Sequence, residues 1–185
     1  MEAVDLVLKF LGVVVASSGV VVAAIGGAHA LRQYRENQRW KETEFIAKLY
    51  KDFLDDACCQ RAMSMLDWSN RDLNFGSEER KDMKPHSWPA LARALRKPDA
   101  TPFTDLEVAI RDTFDRFLQY FEQFERAMRN DLIRQNQVYP YFSYWINMLH
   151  GKRHLSNDVQ KRVLEYIVEY GFDDAKRFLD RRWPS

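Results

Sequence analysis

Imidazole is the side chain best suited to moving protons near neutral pH, so the four histidines are where chemistry would first be sought. His29 lies in an apolar run, leaving His86, His150 and His154 in the rest of the chain. His150 and His154 have the i, i+4 spacing that can set two metal ligands on one helix face. Gly151 and the charged Lys152 and Arg153 predict that the helix ends between them, and no metal site is expected. The two cysteines, Cys58 and Cys59, are neighbours. On a helix they diverge by about 100° and lie too close in sequence to staple a fold, which fits reduced thiols in a cytosolic domain. Asp55 with Asp56, and Asp173 with Asp174, diverge in the same way and read as solvated helix faces. There is no P-loop, dinucleotide-binding glycine turn, nucleophile elbow or calcium loop, and no cofactor is expected. One pairing of a cation with an imidazole is left, Arg80 and His86, which frame RKDMKPH.

The elements that would carry these residues are helices. Prolines number 6 and glycines 7 in 185 residues, apolar residues recur with helical period, and alternating strand patterns are almost absent, so the expected fold class is all-α. The length suits one compact domain with an appendage. With 28 basic and 27 acidic residues, no overall charge draws the chain to DNA or RNA. A helix is predicted from Leu31 to about Leu66, with Trp40, Phe45, Ile46, Leu49, Tyr50, Phe53, Leu54, Ala57 and Met65 on its apolar face. The segment from Trp68 to Pro102 is rich in turn residues and predicts at most a short helix near Ala90 to Arg96. Thr104 to Glu107 form a capping box that opens a helix with Ile110, Phe114, Phe117, Phe121, Phe124 and Met128 inward. Pro140 begins an aromatic segment stopped at Gly151. Ser156 caps a last helix to about Leu179, with Val159, Val163, Ile167 and Tyr170 inward and a break at Gly171.

The appendage is the beginning of the chain. Phe10 to Ala28 is a run of 19 residues without a charge, which at about 1.5 Å per residue nearly matches a ~30 Å hydrocarbon layer. Arg32, Arg35, Arg39 and Lys41 follow it, against Lys9 alone before it, so the positive-inside rule sets the C-terminal side in the cytoplasm. The expected organisation is a tail over residues 1–9 outside, a transmembrane helix over 10–31 and a compact helical bundle over 32–185 on the cytoplasmic side. A cleaved signal peptide would suit Ala28-His29-Ala30, but the acidic leading residues and the length of the run oppose it. A buried core helix is opposed by a surface apolar all round.

Within the span, Gly12, Ala16, Gly19, Ala23, Gly26 and Ala30 are spaced four, three, four, three, four. Small residues in heptad register let helix backbones approach closely in lipid, so this seam is the expected interface between copies. Ser17, Ser18, Val14 and Val21 are the candidates for lining a pore. Arg32, Arg35 and Arg39 are the candidates for anionic headgroups, each worth about 1 kcal/mol near a charged surface.

The run FLQYFEQFERAMRNDLIRQNQVYPYF, residues 117 to 142, is similar to a stretch shared by a family of bacterial membrane-anchored helical-domain proteins. The pair Arg80 and His86 resembles the R-x(4 to 6)-H motif of HEPN-type helical ribonucleases. That resemblance implies a cationic Arg80 stabilising a phosphorane-like transition state and His86 exchanging protons with a ribose hydroxyl or leaving oxygen. Lys81 and Pro85 depart from the motif, since proline disrupts the helix that carries it. In size, layout and this degenerate pair, the chain also resembles the small membrane accessory protein of type VI-B CRISPR systems. That resemblance implies a homo-oligomeric pore reinforcing RNA-triggered antiviral defence, with a CRISPR effector or its RNA-dependent signal as partner.

The function expected is therefore a homo-oligomeric inner-membrane protein that permeabilises the bilayer, with self and lipid as partners and no enzymatic activity required. Two alternatives stand beside it. One is a membrane-tethered ribonuclease using Arg80 and His86, and the other a scaffold recruiting a cytosolic partner through aromatics such as Trp88 or Trp183.

Overall fold

The computed structural model describes the backbone of residues 2–76 and 82–183, and the side chains of residues 26–76 and 82–183. Among the described residues are seven helices and one two-stranded hairpin, so the chain is mostly helical. It divides into two compact units, one ending at Glu44 and the other beginning at Phe45. The first consists of helix alone, the greater part of α1 (Glu2–Asp55).

The second unit takes the last turns of α1 and six further helices. The helix predicted from Leu31 to Leu66 is broken at Asp56, where the backbone turns extended and α2 (Ala57–Asp67) begins. Asp56 itself causes the break. Its Oδ1 accepts from the backbone N–H groups of Cys58 at 2.9 Å and Cys59 at 3.3 Å, and its Oδ2 accepts from Arg116 Nε at 2.8 Å. Burial pushes its carboxyl pKa up, but the Arg116 guanidinium and the two helix N–H groups outweigh this and hold it below the usual carboxylate range. Asp174 likewise does more than solvate a face, accepting from Arg129 and from Arg177 at 2.8 Å each.

The segment after α2 differs most from its expectation. It forms a hairpin of β1 (Arg71–Asn74) and β2 (Met83–His86), antiparallel with Arg71 opposite His86 and Asn74 opposite Met83. Asn74 closes its neck, accepting through Oδ1 from the N–H groups of Gly76 at 3.0 Å and Asp82 at 2.9 Å. Turn residues and charges on a short exposed hairpin hide the alternation that would reveal a strand. Ser87 then caps α3 (Trp88–Ala94), with Pro89 in the first turn where a missing N–H costs nothing.

α4 (Asp105–Arg129) opens on the predicted capping box, Thr104 accepting from the Glu107 N–H and Glu107 from the Thr104 N–H, and its predicted apolar stripe is buried throughout. α5 (Gln135–Leu149) contains Pro140 and delivers Phe142 to the centre of the unit. The Phe142 ring lies 5.3 Å from Phe53 of α1, 5.5 and 4.6 Å from Phe121 and Phe124 of α4, and 5.4 Å from Phe178, centroid to centroid. Phe178 belongs to α7 (Asp173–Asp180), separated from α6 (Asn157–Glu169) by Gly171 at φ +72°. Val159, Val163 and Ile167 point inward as predicted, while Tyr170 stays exposed.

Phe142→Ala opens a cavity among these rings, and a loss of about 3 to 5 kcal/mol is expected in chemical denaturation of the full chain. Asp56→Ala removes a helix cap and is expected to cost roughly 0.5 to 2 kcal/mol from the cap alone.

Candidate assembly and membrane-contact surface

From Gly26 to Lys41 every side chain of α1 is exposed. A Cβ built on Gly26 or Gly27 meets nothing within 4 Å. Ala30, the last residue of the predicted seam, is exposed as well. The other seam residues, Gly12, Ala16, Gly19 and Ala23, and the pore candidates Ser17, Ser18, Val14 and Val21, lie outside the residues whose side chains are described. Among the described residues no helix is long and apolar enough to cross a membrane, and the side chains of residues 10–25 of the expected span fall outside them.

The three basic residues after the span form one stripe. Positions 32, 35 and 39 share a helix face, all three exposed, with Arg32 Nε donating to Glu36 Oε1 at 3.0 Å. Tyr34 and Trp40 flank them with exposed rings, Trp40 to 66%.

The ribonuclease-like pair falls elsewhere. Arg80 lies outside the described residues. His86 stands on β2 and is buried, 2% exposed. Its Nε2 donates to the Met65 carbonyl at 3.2 Å, and its buried Nδ1 has no partner among the described residues. Burial holds the His86 pKa below its ordinary value, against a smaller upward pull from the Met65 carbonyl. A neutral imidazole shut in a core cannot reach the ribose hydroxyl of an RNA strand without the hairpin opening.

His86 belongs instead to a group of side chains that satisfies the exposed carbonyls at the C-terminal end of α2, where a helix leaves acceptors without intrahelical partners. Trp88 Nε1 donates to the same Met65 carbonyl at 3.1 Å, and His154 Nε2 donates to the Asp67 carbonyl at 2.9 Å. The Tyr144 hydroxyl donates to Asp67 Oδ1. Desolvation first, and the Asp67 carboxylate second, push the Tyr144 pKa up to about 12. Arg153 lies 5.0 Å over the Tyr144 ring. This cluster draws on α2, β2, α3, α5 and the α5 to α6 loop, so no local spacing in the sequence announces it.

His150 and His154 do not converge. His150 Nε2 turns to the Leu179 carbonyl at 2.9 Å, while His154 turns to α2. Cys58 and Cys59 are both free thiols, with Cys58 Sγ 3.2 Å from Arg61 Nη2 and Cys59 buried. Trp88 and Trp183 are half-buried rather than exposed, Trp183 stacking on Tyr139 at 5.6 Å; the exposed tryptophans are Trp40 and Trp68.

No protein-family model, no curated protein and no solved structure matches the chain.

The depressed His86 pKa carries a pH dependence with a defined sign. The unfolded chain takes up a proton near the ordinary imidazole pKa while the folded chain does not, so this contribution is present above that pH and is lost as pH falls through it. Stability of the full chain in detergent is expected to fall as pH drops below about 6.5, and to fall less steeply in His86→Phe, which keeps a buried ring without a titrating group.

Proposed function

We propose that this chain is a single-pass bacterial inner-membrane protein that self-associates through α1, and whose assembly permeabilises the bilayer. The observation that supports this most directly is the bare surface of α1 from Gly26 to Lys41, continuous in sequence with 19 uncharged residues. A helix that is apolar all round is stable only when something covers it. Lipid supplies one cover for the valines, and a second copy supplies the other for the glycines and alanines. Leucine would bind a bilayer more strongly than these small residues do, and their register gives what leucine would not, close contact between backbones.

Arg32, Arg35 and Arg39 would then meet anionic headgroups on the cytoplasmic side, and the helical bundle from Phe45 onward would be held beneath the membrane. RNA-triggered antiviral defence is the setting that the resemblance to CRISPR accessory proteins suggests, with the permeability change as the output. The ribonuclease reading is weaker, because it asks His86 to act from within the core.

Purified full-length protein in liposomes is expected to release an entrapped dye. Gly19→Ile with Gly26→Ile, which fill the seam, should lower that release by about tenfold or more. Leakage unchanged by the double substitution, or absent from the native protein, would overturn the proposal.

A further inference from the structure

The four-three spacing of the small residues does not stop where the apolar run stops. Counting on from Gly26 and Ala30, the same alternation reaches Gln33, Asn37 and Trp40 before it runs into the charge of Glu44. With Gly12 taken as a d position, Ala30 and Asn37 are a positions and Gln33 and Trp40 are d positions. The face they share, Gly26, Ala30, Gln33, Asn37 and Trp40, is exposed at every residue. From this we infer that residues 26–40 form a parallel coiled stem with a second copy of this chain, registered by the amides of Asn37 and Gln33 and anchored by Trp40.

The chemistry of that face fits a copy of itself better than a membrane. An uncharged amide at an a position costs stability yet fixes register, because two amides facing one another satisfy donors and acceptors that apolar neighbours would leave unmet. Flat ring surface at Trp40 gives the stem an apolar contact where the small residues have ended. The flanking charges agree with a parallel pairing. Glu36 takes the g position and Lys41 the following e position, the two sites that face one another across a parallel pair, and both are exposed. Glu36, whose Oε1 accepts from Arg32 within its own helix, is thereby placed across from Lys41 of the other copy. A shared membrane orientation requires parallel chains in any case.

The same count separates the two roles of this helix. Arg32 and Arg39 fall at c and Arg35 at f, on the side away from the seam, so the stem leaves the basic stripe facing headgroups while the amides face the partner. Val14 and Val21 are also f positions, and Ser17 and Ser18 are b and c.

The inference rests on the proposed self-association, and site-directed disulfide formation separates the two. In full-length protein in phosphatidylethanolamine and phosphatidylglycerol vesicles, with Cys58→Ser and Cys59→Ala as background, Asn37→Cys is expected to cross-link about tenfold faster than Arg35→Cys. Glu36→Lys should slow the Asn37→Cys reaction, and adding Lys41→Glu should restore it. Equal rates at the two positions would overturn the stem. Cross-linking at Gly19→Cys but not at Asn37→Cys would overturn the stem and leave self-association standing, whereas no cross-linking at any of these positions would overturn both.

Discussion

Hydrogen bonds along the backbone hold α1 together, and among the described residues its side chains between Gly26 and Lys41 are exposed. That constraint governs the rest of the account. Backbone hydrogen bonding stabilises a helix only marginally in water, and proteins usually add stability by packing one face against another element. Here the packed face begins at Ile46, in the second unit, where Ile46 and Phe53 are buried. Upstream, the sequence passes through a charged stretch with Arg32, Arg35, Glu36, Arg39, Lys41 and Glu44 before it reaches the valines, alanines and glycines of residues 12–30.

The second unit stands on its own core. Phe142 brings rings from α1, α4 and α7 within about 6 Å of its own, and such edge and tilted contacts add to the area they bury. Around this centre, charged and polar side chains satisfy the helix ends. Asp56 caps the start of α2, while His86, Trp88 and His154 take up carbonyls at its end. Arg111 donates to the carbonyls of Ala94 and Arg96 just beyond α3 and lies over the rings of Phe103, Tyr166 and Tyr170. The histidines are thereby committed to holding the bundle together, which explains why their types invite a catalytic reading that their positions do not favour.

Features governed by near neighbours were legible in the sequence. The Thr104 capping box, the α4 stripe, the Ser156 cap and the glycine stops at Gly151 and Gly171 depend on residues within one or two helical turns. What was hidden depended on distant partners. The ion pair that holds Asp56 comes from Arg116, sixty residues later, and the hairpin needs β1 and β2 to meet across a turn. The cluster at the end of α2 joins Asp67 to Tyr144 and His154, which no spacing rule connects. For α1 the sequence was informative about the helix itself, which runs from Glu2 to Asp55.

The central claim is that this chain works as an assembly held together by its first helix. Light scattering on the full-length protein in mild detergent, with the bound detergent subtracted, measures this most directly. A protein mass of two or more chains is the result predicted, and the mass of a single chain across the working concentration range would contradict it.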